Sequence, residues 1–594
     1  MRSVEFPGAD YSQLQLQSSL ATKRHAWAAA QDALVSFAFF LVAFITRFPF
    51  HSKYLSGWDT SQFVLGTYHF DILNHQPHPP GCILYVGLLH HLISVIHDES
   101  ISIGLLSATF SALSVVLVFL LALEILAVRR TAYLAAWLWL VNPLMWHYSL
   151  TGDVYPAGAF GGLLTVLCVH RFWTRPSERT AIFAAGAFAF SSGMRQDQVL
   201  YFVPLLLFPF WRCKPCRRFF PLLLAVAFLG YLSWYIPMLV LAGGYQAYSH
   251  ALSVQFLLTV QRTSVLFGGA PSVHARMAVR MLGALAIGMS AALILLPLLI
   301  RHPAKTLTPL GLTREQELFI LVWIAPALVF MGLIHFGRGG YLLPFLPAAI
   351  IILAHWVTLQ IPPPPQGRRL FLAATLLPAL AQTYFFFATP GLGARLPAEP
   401  EGLPGTTVWQ TRLQMIPHML GLEVQTYVDR GVRDADAIKD VYFPSIRSAL
   451  RKDPTIVLSF EPGMWRVLMN YFPDVPMYAV FGFDRPIPER LGRPGPMVVA
   501  LGYERETRIL YDGTPKALPT PVPSISLAGR ESLLVIVPAD LGLEFVGAAS
   551  QDLRYDTLGS SPPHLRVYRL ISLRCHKGND ITIRSKSRSI LLRP

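Results

Sequence analysis

The chain has 594 residues, 53% of them hydrophobic and only 14% charged, against roughly 25% charged in an ordinary soluble domain. Its mean hydropathy of +0.45 points to a polytopic membrane protein. The formal charge of +15 would raise nucleic-acid binding in a soluble protein; here the basic residues sit in short loops between apolar runs, as the positive-inside rule expects, and nucleic acid is excluded as a partner.

Residues 1–29 are mixed and polar, and no small-residue cleavage site follows the first apolar run. They read as a cytoplasmic N-terminal segment, not a cleaved signal. A spanning helix needs about 20 mostly apolar residues. The runs that qualify are 30–49, 101–128, 131–150, 154–173, 180–194, 198–211, 219–242, 277–300, 318–336, 341–360 and 370–389, of which 180–194 and 198–211 are short. Run 82–97 is ambiguous, being short and holding His90 and His91. Charge decides its role. With 82–97 lying in the interface, one side collects Arg2, Lys23, Arg24 and the loops around Arg129, Arg171, Arg212, Arg301 and Arg368. The other side, up to residue 390, holds Arg47, Lys53, Arg195, Arg262, Arg276, Arg280 and Arg338. That asymmetry predicts a cytoplasmic N-terminus, about eleven transmembrane helices and a helical membrane domain over 30–389. The long loop 50–100 and the C-terminal region then face outward.

The five cysteines are scattered. Cys213 and Cys216 form one CxxC with no second pair, which argues against structural zinc and reads as a basic loop carrying two thiols. Residues 390–410 have the Pro/Gly composition of a linker. Beyond them, 411–594 reads as a soluble, extracytoplasmic α/β domain. Its expected strands are Thr455–Ser459, Met477–Phe481, Met497–Leu501, Leu533–Val537 and Leu565–Leu570, with a helix at Gly463–Tyr471. It has no phosphate-binding glycine loop and no nucleophile motif.

The candidate chemistry lies on the outer side. The first outer loop carries Asp59, Asp71, His75 and His78, closing on Pro79-Pro80-Gly81. Ionisable groups at the membrane rim are functional candidates. A sugar transfer needs one carboxylate to take the acceptor proton, and Asp59 fits that base as well as it fits a turn. His75 and His78 read as metal ligands, as phosphate donors or as part of a rigid bend. Asp153 reads as a helix cap or as a second carboxylate that binds acceptor, metal or sugar. Arg195 and Asp197 read as an interfacial ion pair, or Arg195 as a phosphate ligand. The stretch His335-Phe-Gly-Arg338-Gly-Gly-Tyr341 combines glycines that admit a ligand with a guanidinium suited to phosphate oxygens or to lipid headgroups.

At these residues the chain resembles the GT-C membrane glycosyltransferases that use dolichyl- or polyprenyl-phosphate sugars, among them protein O-mannosyltransferases and aminoarabinose transferases. The matching features are Asp59 soon after the first span, the segment from Tyr68 to Gly81, and the Arg-x-x-Tyr-Leu-Leu-Pro turn from Arg338 to Pro344. The resemblance covers about residues 30–390. It implies that Asp59 is the catalytic base and that Arg338 binds the lipid phosphate; Tyr341, Arg195, His75 and His78 are candidate donor ligands on their own chemistry. The chain departs from the pattern at Thr60, where many members have a second acid, which leaves Asp71, Asp153 or Asp197 as the second carboxylate or acceptor ligand. It departs again at Cys82, where tyrosine is common.

The expected function is therefore transfer of a sugar from a polyprenyl-phosphate donor to a hydroxyl of a protein, lipid or polysaccharide acceptor. A divalent cation, Mg or Mn, is a candidate cofactor. The five cysteines and the lack of a recognisable eukaryotic sorting signal lean towards a bacterial inner membrane. The rivals are a transporter or flippase, which lacks the expected internal repeat here, and a non-catalytic envelope-assembly scaffold.

Overall fold

The computed structural model describes residues 30–269, 271–301, 312–389, 424, 426–452, 455–459, 465–481, 497–501, 507–511, 524–526, 532–538, 543–546, 549–553, 568–574, 581–585 and 588–593. The expected N-terminal segment 1–29, the expected linker 390–410 and Cys575 lie outside the described residues.

Every apolar run read from the sequence is helical. In chain order the helices are α1 (Ala30–Phe50), α2 (Trp58–Tyr68), α3 (Ile83–Ile96), α4 (Glu99–Leu126), α5 (Arg129–Leu140), α6 (Pro143–Thr151), α7 (Tyr155–Thr174), α8 (Glu178–Met194), α9 (Gln198–Arg212), α10 (Phe220–Leu241), α11 (Tyr245–Gln255), α12 (Gln261–Thr263), α13 (Pro271–Gly288), α14 (Ser290–Arg301), α15 (Arg314–Leu333), α16 (Leu346–Gln360) and α17 (Arg368–Ala388). The protein is an integral membrane protein.

Among the described residues, five helices are long and apolar enough to cross a membrane by themselves, or six if the bent pair α13–α14 is one span. The expected eleven is not reached on that criterion, for a physical reason. The most hydrophobic stretch of α1 is 11% buried by protein, against 72% for α4. Helices facing lipid must be apolar all round, whereas interior helices need not be. Thus α7 carries Gly158, Gly161 and Gly162 on buried positions, which lets α4, α7 and α8 approach closely. The expected span 131–150 is broken: Pro143 opens α6 and the Asn142 side chain accepts from Leu144 N and Met145 N. Likewise 277–300 bends by 54° between α13 and α14.

The ambiguous run 82–97 forms α3, 14 residues long. At 1.5 Å per residue it reaches roughly 21 Å, short of the roughly 30 Å hydrocarbon core. Glu124, the acid inside α4, pairs with Arg171 at 2.9 Å and Arg175 at 3.1 Å. One reading needs correction. Cys213 and Cys216 are joined as a disulfide instead of standing as two thiols, because the 3-10 turn Lys214–Phe219 brings their Cα atoms to 5.4 Å.

After the bundle come α18 (Asp429–Lys452), β1 (Thr455–Ser459), α19 (Trp465–Tyr471), β2 (Met477–Phe481), β3 (Met497–Leu501), β4 (Thr507–Tyr511), β5 (Ser524–Ser526), β6 (Ser532–Pro538), β7 (Glu544–Val546), β8 (Ala549–Leu553), β9 (Tyr568–Arg574), β10 (Ile581–Ser585) and β11 (Arg588–Arg593). One sheet runs β4-β3-β2-β1-β6-β9-β8, with β1 parallel to β2 and β6 and the outer pairs antiparallel. The second runs β5-β11-β10-β7. The apolar runs expected as β1, β2 and β3 match residue for residue. The last expected strand is displaced toward Arg574, because β9 pairs along the whole of β6, from Ser532↔Arg574 to Pro538↔Tyr568.

Helices α18 and α19 grip the 50–57 loop and the 72–74 turn. Asp436 accepts from Ser52 Oγ at 2.6 Å, Lys53 N at 2.9 Å and Tyr54 N at 3.3 Å. Asp440 accepts from the Tyr54 hydroxyl at 2.8 Å, and the Tyr471 hydroxyl accepts from Leu55 N at 2.9 Å. Arg433 donates to the carbonyls of Phe50 and His51. Arg466 is buried, donates to the carbonyl of Asn74 and lies 5.7 Å over the Trp58 ring. The C-terminal segment is thus a structural wall of the loop that leads to Asp59.

Candidate active site

Gly57 is extended and breaks the chain into α2, which places Asp59 in the first helical turn, where the helix dipole favours a carboxylate. Gln62 follows three residues later on the same face. After α2 the chain turns back through a short 3-10 helix, Ile72–Asn74. Gly81 closes that loop at φ +113°, and a Cβ there would press on Ile72 and Met238, so the position demands glycine.

Three charged groups meet at one point. Arg338 Nη1 lies 3.3 Å from Asp59 Oδ2 and 3.9 Å from Asp153 Oδ2. Asp153 sits between α6 and α7, is 4% exposed, and uses Oδ1 to accept from Val154 N at 2.8 Å. Its carboxyl is pushed up to about 6, first by burial and then by the Asp59 charge, with Arg338 pulling the other way. Arg338 is held well above its ordinary value by Asp59, against burial. Behind it, Gly339 N donates to the Tyr427 hydroxyl at 3.0 Å. Gly340 packs so closely on the Tyr155 ring that a Cβ would collide with it.

Two chambers open on either side of this junction, and Trp58, Asp59, Asp153, Arg280 and Arg338 line both. The first, about 630 Å³, is also lined by His75, His78, Arg195, Asp197, His335 and Tyr341, with Val260, Met277, Phe330 and Phe336 as its apolar wall. The second, about 380 Å³, lies between α2, α6 and the segment that leads into α18.

The structure therefore brings Asp59, Asp153 and Arg338 together and puts His75, His78, Arg195, Asp197 and Tyr341 around the same chamber. Asp71 is not among the chamber's lining residues: it caps the 72–74 turn, accepting from Asn74 N at 3.2 Å and Asn74 Nδ2 at 2.6 Å. The Arg195 guanidinium makes two bonds to Asp197, 3.1 and 2.6 Å, and lies 4.6 Å from the Tyr155 ring centre and 4.7 Å from that of Tyr341. The ion-pair reading of this turn is the one the geometry realises. Burial lowers both histidines, His75 to about 4. They face neutral pH uncharged, as hydrogen-bonding groups and not as counter-ions. His78 Nδ1 donates to Gln62 Oε1 at 3.0 Å.

Among the described residues no group of three or more His, Cys, Asp or Glu side chains is placed to hold a divalent cation. The position between the two carboxylates is taken by the Arg338 guanidinium.

Sequence reasoning passed over Gln62 and Tyr427, and gave no site role to Arg280 or His335. The helical spacing from Asp59 could have found Gln62. Arg280 and His335 lie near the ends of the apolar runs 277–300 and 318–336 and looked like ordinary rim residues. Tyr427 carries no local signal.

Residues 77–239 match the family described as dolichyl-phosphate-mannose-protein mannosyltransferase. That stretch holds His78, Asp153, Arg195 and Asp197 and stops short of Asp59 and Arg338 on either side. The match bears out the resemblance to membrane glycosyltransferases of the GT-C type. Similar solved structures include ArnT from Cupriavidus metallidurans in the apo state, at 12% identity over 76% of this chain and 93% of that one, with a TM-score of 0.44. ArnT from the same organism bound to undecaprenyl phosphate is 13% identical over 84% of this chain and 99% of that one, with a TM-score of 0.45. The Archaeoglobus fulgidus oligosaccharyltransferase in complex with zinc and sulfate is 14% identical over 71% of this chain and 60% of that one, with a TM-score of 0.38. No curated protein matches the chain.

Proposed function

We propose that the protein transfers a sugar from a polyprenyl-phosphate donor to an acceptor hydroxyl on the outer face of the membrane. The observation that carries this reading is the Asp59–Arg338–Asp153 junction between two chambers, one of them partly apolar. The description of the family matched by residues 77–239 supports a lipid-phosphate sugar as donor.

In the first chamber the lipid lies against the Val260–Met277–Phe330 wall and its phosphate meets Arg338, with Arg280 beside it. The acceptor oxygen attacks the anomeric carbon and its proton passes to the Asp59 carboxylate. The bond from that carbon to the phosphate oxygen breaks, and the polyprenyl phosphate leaves with its charge stabilised by the guanidinium. Configuration at the anomeric carbon inverts. Asp59 serves as base because it borders both chambers with 22% of its side chain open. Asp153 is more buried, has one oxygen engaged with Val154 N, and holds Arg338 from the other side. In this reading 30–389 is the catalytic domain, the N-terminus is cytoplasmic, and 411–594 stands outside a bacterial inner membrane.

The test is turnover of a radiolabelled panel of dolichyl- and undecaprenyl-phosphate sugars by detergent-purified protein, wild type beside Asp59→Asn. Loss of transfer by about 10²–10⁴-fold with donor binding intact is the expected result for a general base. Equal turnover in both proteins moves the base to Asp153. If the wild type binds no donor lipid, the transporter or scaffold reading replaces this one.

A further inference from the structure

Gln62 and His78 form a built pair on the wall of the first chamber. Gln62 stands one helical turn after Asp59 on α2, and both line that chamber. The loop that carries His78 is pressed against the same helix at Gly66, where a Cβ would lie 2.7 Å from Pro77 Cδ and 2.9 Å from Pro77 N. Beyond that contact the His78 ring rests against Phe63, with ring centres 5.2 Å apart, and its Nδ1 donates to Gln62 Oε1 at 3.0 Å. Gln62 is fully buried, and its Nε2 has no hydrogen-bond partner. Packing alone favours an apolar side chain at such a place, so the amide is explained by what its Oε1 does.

What it does follows from the chemistry of imidazole. Burial keeps the His78 ring uncharged at neutral pH, and a neutral ring has one N–H and one bare nitrogen. An amide oxygen can only accept, so the proton is held on Nδ1 and Nε2 is left as an acceptor. An acceptor has nothing to offer the phosphate of a lipid-phosphate sugar, which is an ionised diester with no proton to give. It fits an O–H group. Gln62 follows Asp59 by three residues, roughly 4.5 Å along the helix axis. A sugar whose anomeric carbon is at Asp59 therefore presents its ring hydroxyls to His78.

We propose that His78 Nε2 accepts a hydrogen bond from one hydroxyl of the donor sugar, and that Gln62 is the positioning residue that fixes the His78 tautomer for this task. This rests on the glycosyltransferase reading above and adds to it which part of the donor is read. His78 contacts the sugar, and the phosphate is left to Arg338 and Arg280. A site built to accept from one hydroxyl discriminates against the donor that lacks it, because the acceptor is then left unpaired.

The experiment measures binding by the full chain in detergent at pH 8, where a phosphate monoester is doubly ionised and has no proton to offer. The ligands are undecaprenyl phosphate, the tightest-binding undecaprenyl-phosphate sugar of the donor panel, and the monodeoxy analogues of that sugar. Wild type is compared with Gln62→Met, which keeps the side-chain length and removes Oε1, and with His78→Phe, which keeps a ring beside Phe63. The two variants are read independently, so one that does not fold leaves the other to decide. The expected result is that one monodeoxy donor binds wild type about tenfold or more weakly than its parent. Both variants should shrink that gap to roughly threefold or less, while undecaprenyl phosphate binds all three proteins equally. Weaker binding of undecaprenyl phosphate to a folded variant overturns the inference: the Gln62 amide then lies the other way round, and the imidazole gives an N–H to phosphate. No gap among the deoxy donors in wild type, or a gap that survives in a folded variant, overturns it too and leaves the donor reading standing. If wild type binds neither undecaprenyl phosphate nor any lipid-linked sugar, the glycosyltransferase reading itself fails, and the inference falls with it.

Discussion

Replacing Arg338 by Gln removes the cation that two carboxylates share and that, in the proposed reaction, meets the donor phosphate. Its side chain is 45% exposed to the chamber, so its pairing with Asp59 contributes about 1 kcal/mol or less and yields readily to an entering phosphate. In the transition state the demand is larger, because the leaving phosphate gains charge where water is scarce. Loss of one such aimed donor costs about 2.7–4 kcal/mol, or 10²–10³-fold in kcat/KM. A second effect follows from the same atom. Burial and Asp59 raise the Asp153 carboxyl to about 6 while Arg338 lowers it. Without Arg338 that carboxyl rises further, and the acid limb of the pH–rate profile moves to higher pH. Arg338→Lys keeps the charge but loses the planar fork, and recovers only part of the rate. The assay is donor turnover from pH 5 to pH 9, with donor affinity measured separately. A variant with kcat/KM within threefold of wild type, the same donor affinity and the same acid limb would refute the role given to Arg338.

Three other outcomes are expected. Asp153 has a folded pKa raised from 3.8 to about 6. Its contribution to stability is complete below the unfolded value and is lost as pH rises through about 6. Asp153→Asn therefore melts higher than wild type at pH 8, and the gap closes by pH 4; a constant gap would be the wrong result. Gly340→Ala drives a methyl into the Tyr155 ring and costs about 1–3 kcal/mol of stability, read by thermal melting, together with loss of turnover as the Tyr155–Arg195 stack shifts. Asp436→Ala strips Ser52, Lys53 and Tyr54 of their shared acceptor. It leaves polar groups unpaired at about 1–3 kcal/mol each where they stay dry, and limited proteolysis should then cut the 50–57 loop faster than in wild type.

Much of this was legible before the fold was known, but unevenly. Span positions were readable because apolar runs are bounded by basic residues, as at Arg129 and Arg368. Their number was not, since α7 is mostly buried by its neighbours and α8, with Ile182 and Phe183 exposed, is only 17 residues long. Asp59, Asp153 and Arg338 stood out as charges at the outer rim. Their meeting did not: Asp59 and Arg338 are far apart in sequence, and nothing local says that α2 and the turn before α16 share a cavity. Asp71 looked equal to Asp59 by composition, and only the tight 72–74 turn, which consumes its carboxylate, separates the two. Tyr427 and Asp436 were invisible because their roles come from where α18 docks.

That docking bears on when the protein becomes competent. The Ser52–Asp436 bond joins residues 384 positions apart. At about 5–20 residues per second, synthesis takes roughly 20–80 s to travel between them. Through that interval the bundle helices are still being made, the loop bearing Asp59 has no anchor, and the second chamber lacks the wall that holds Tyr427. Under the proposed reaction a nascent chain stays inactive until its far end arrives, and a chain truncated before Asp436 is expected to stay so.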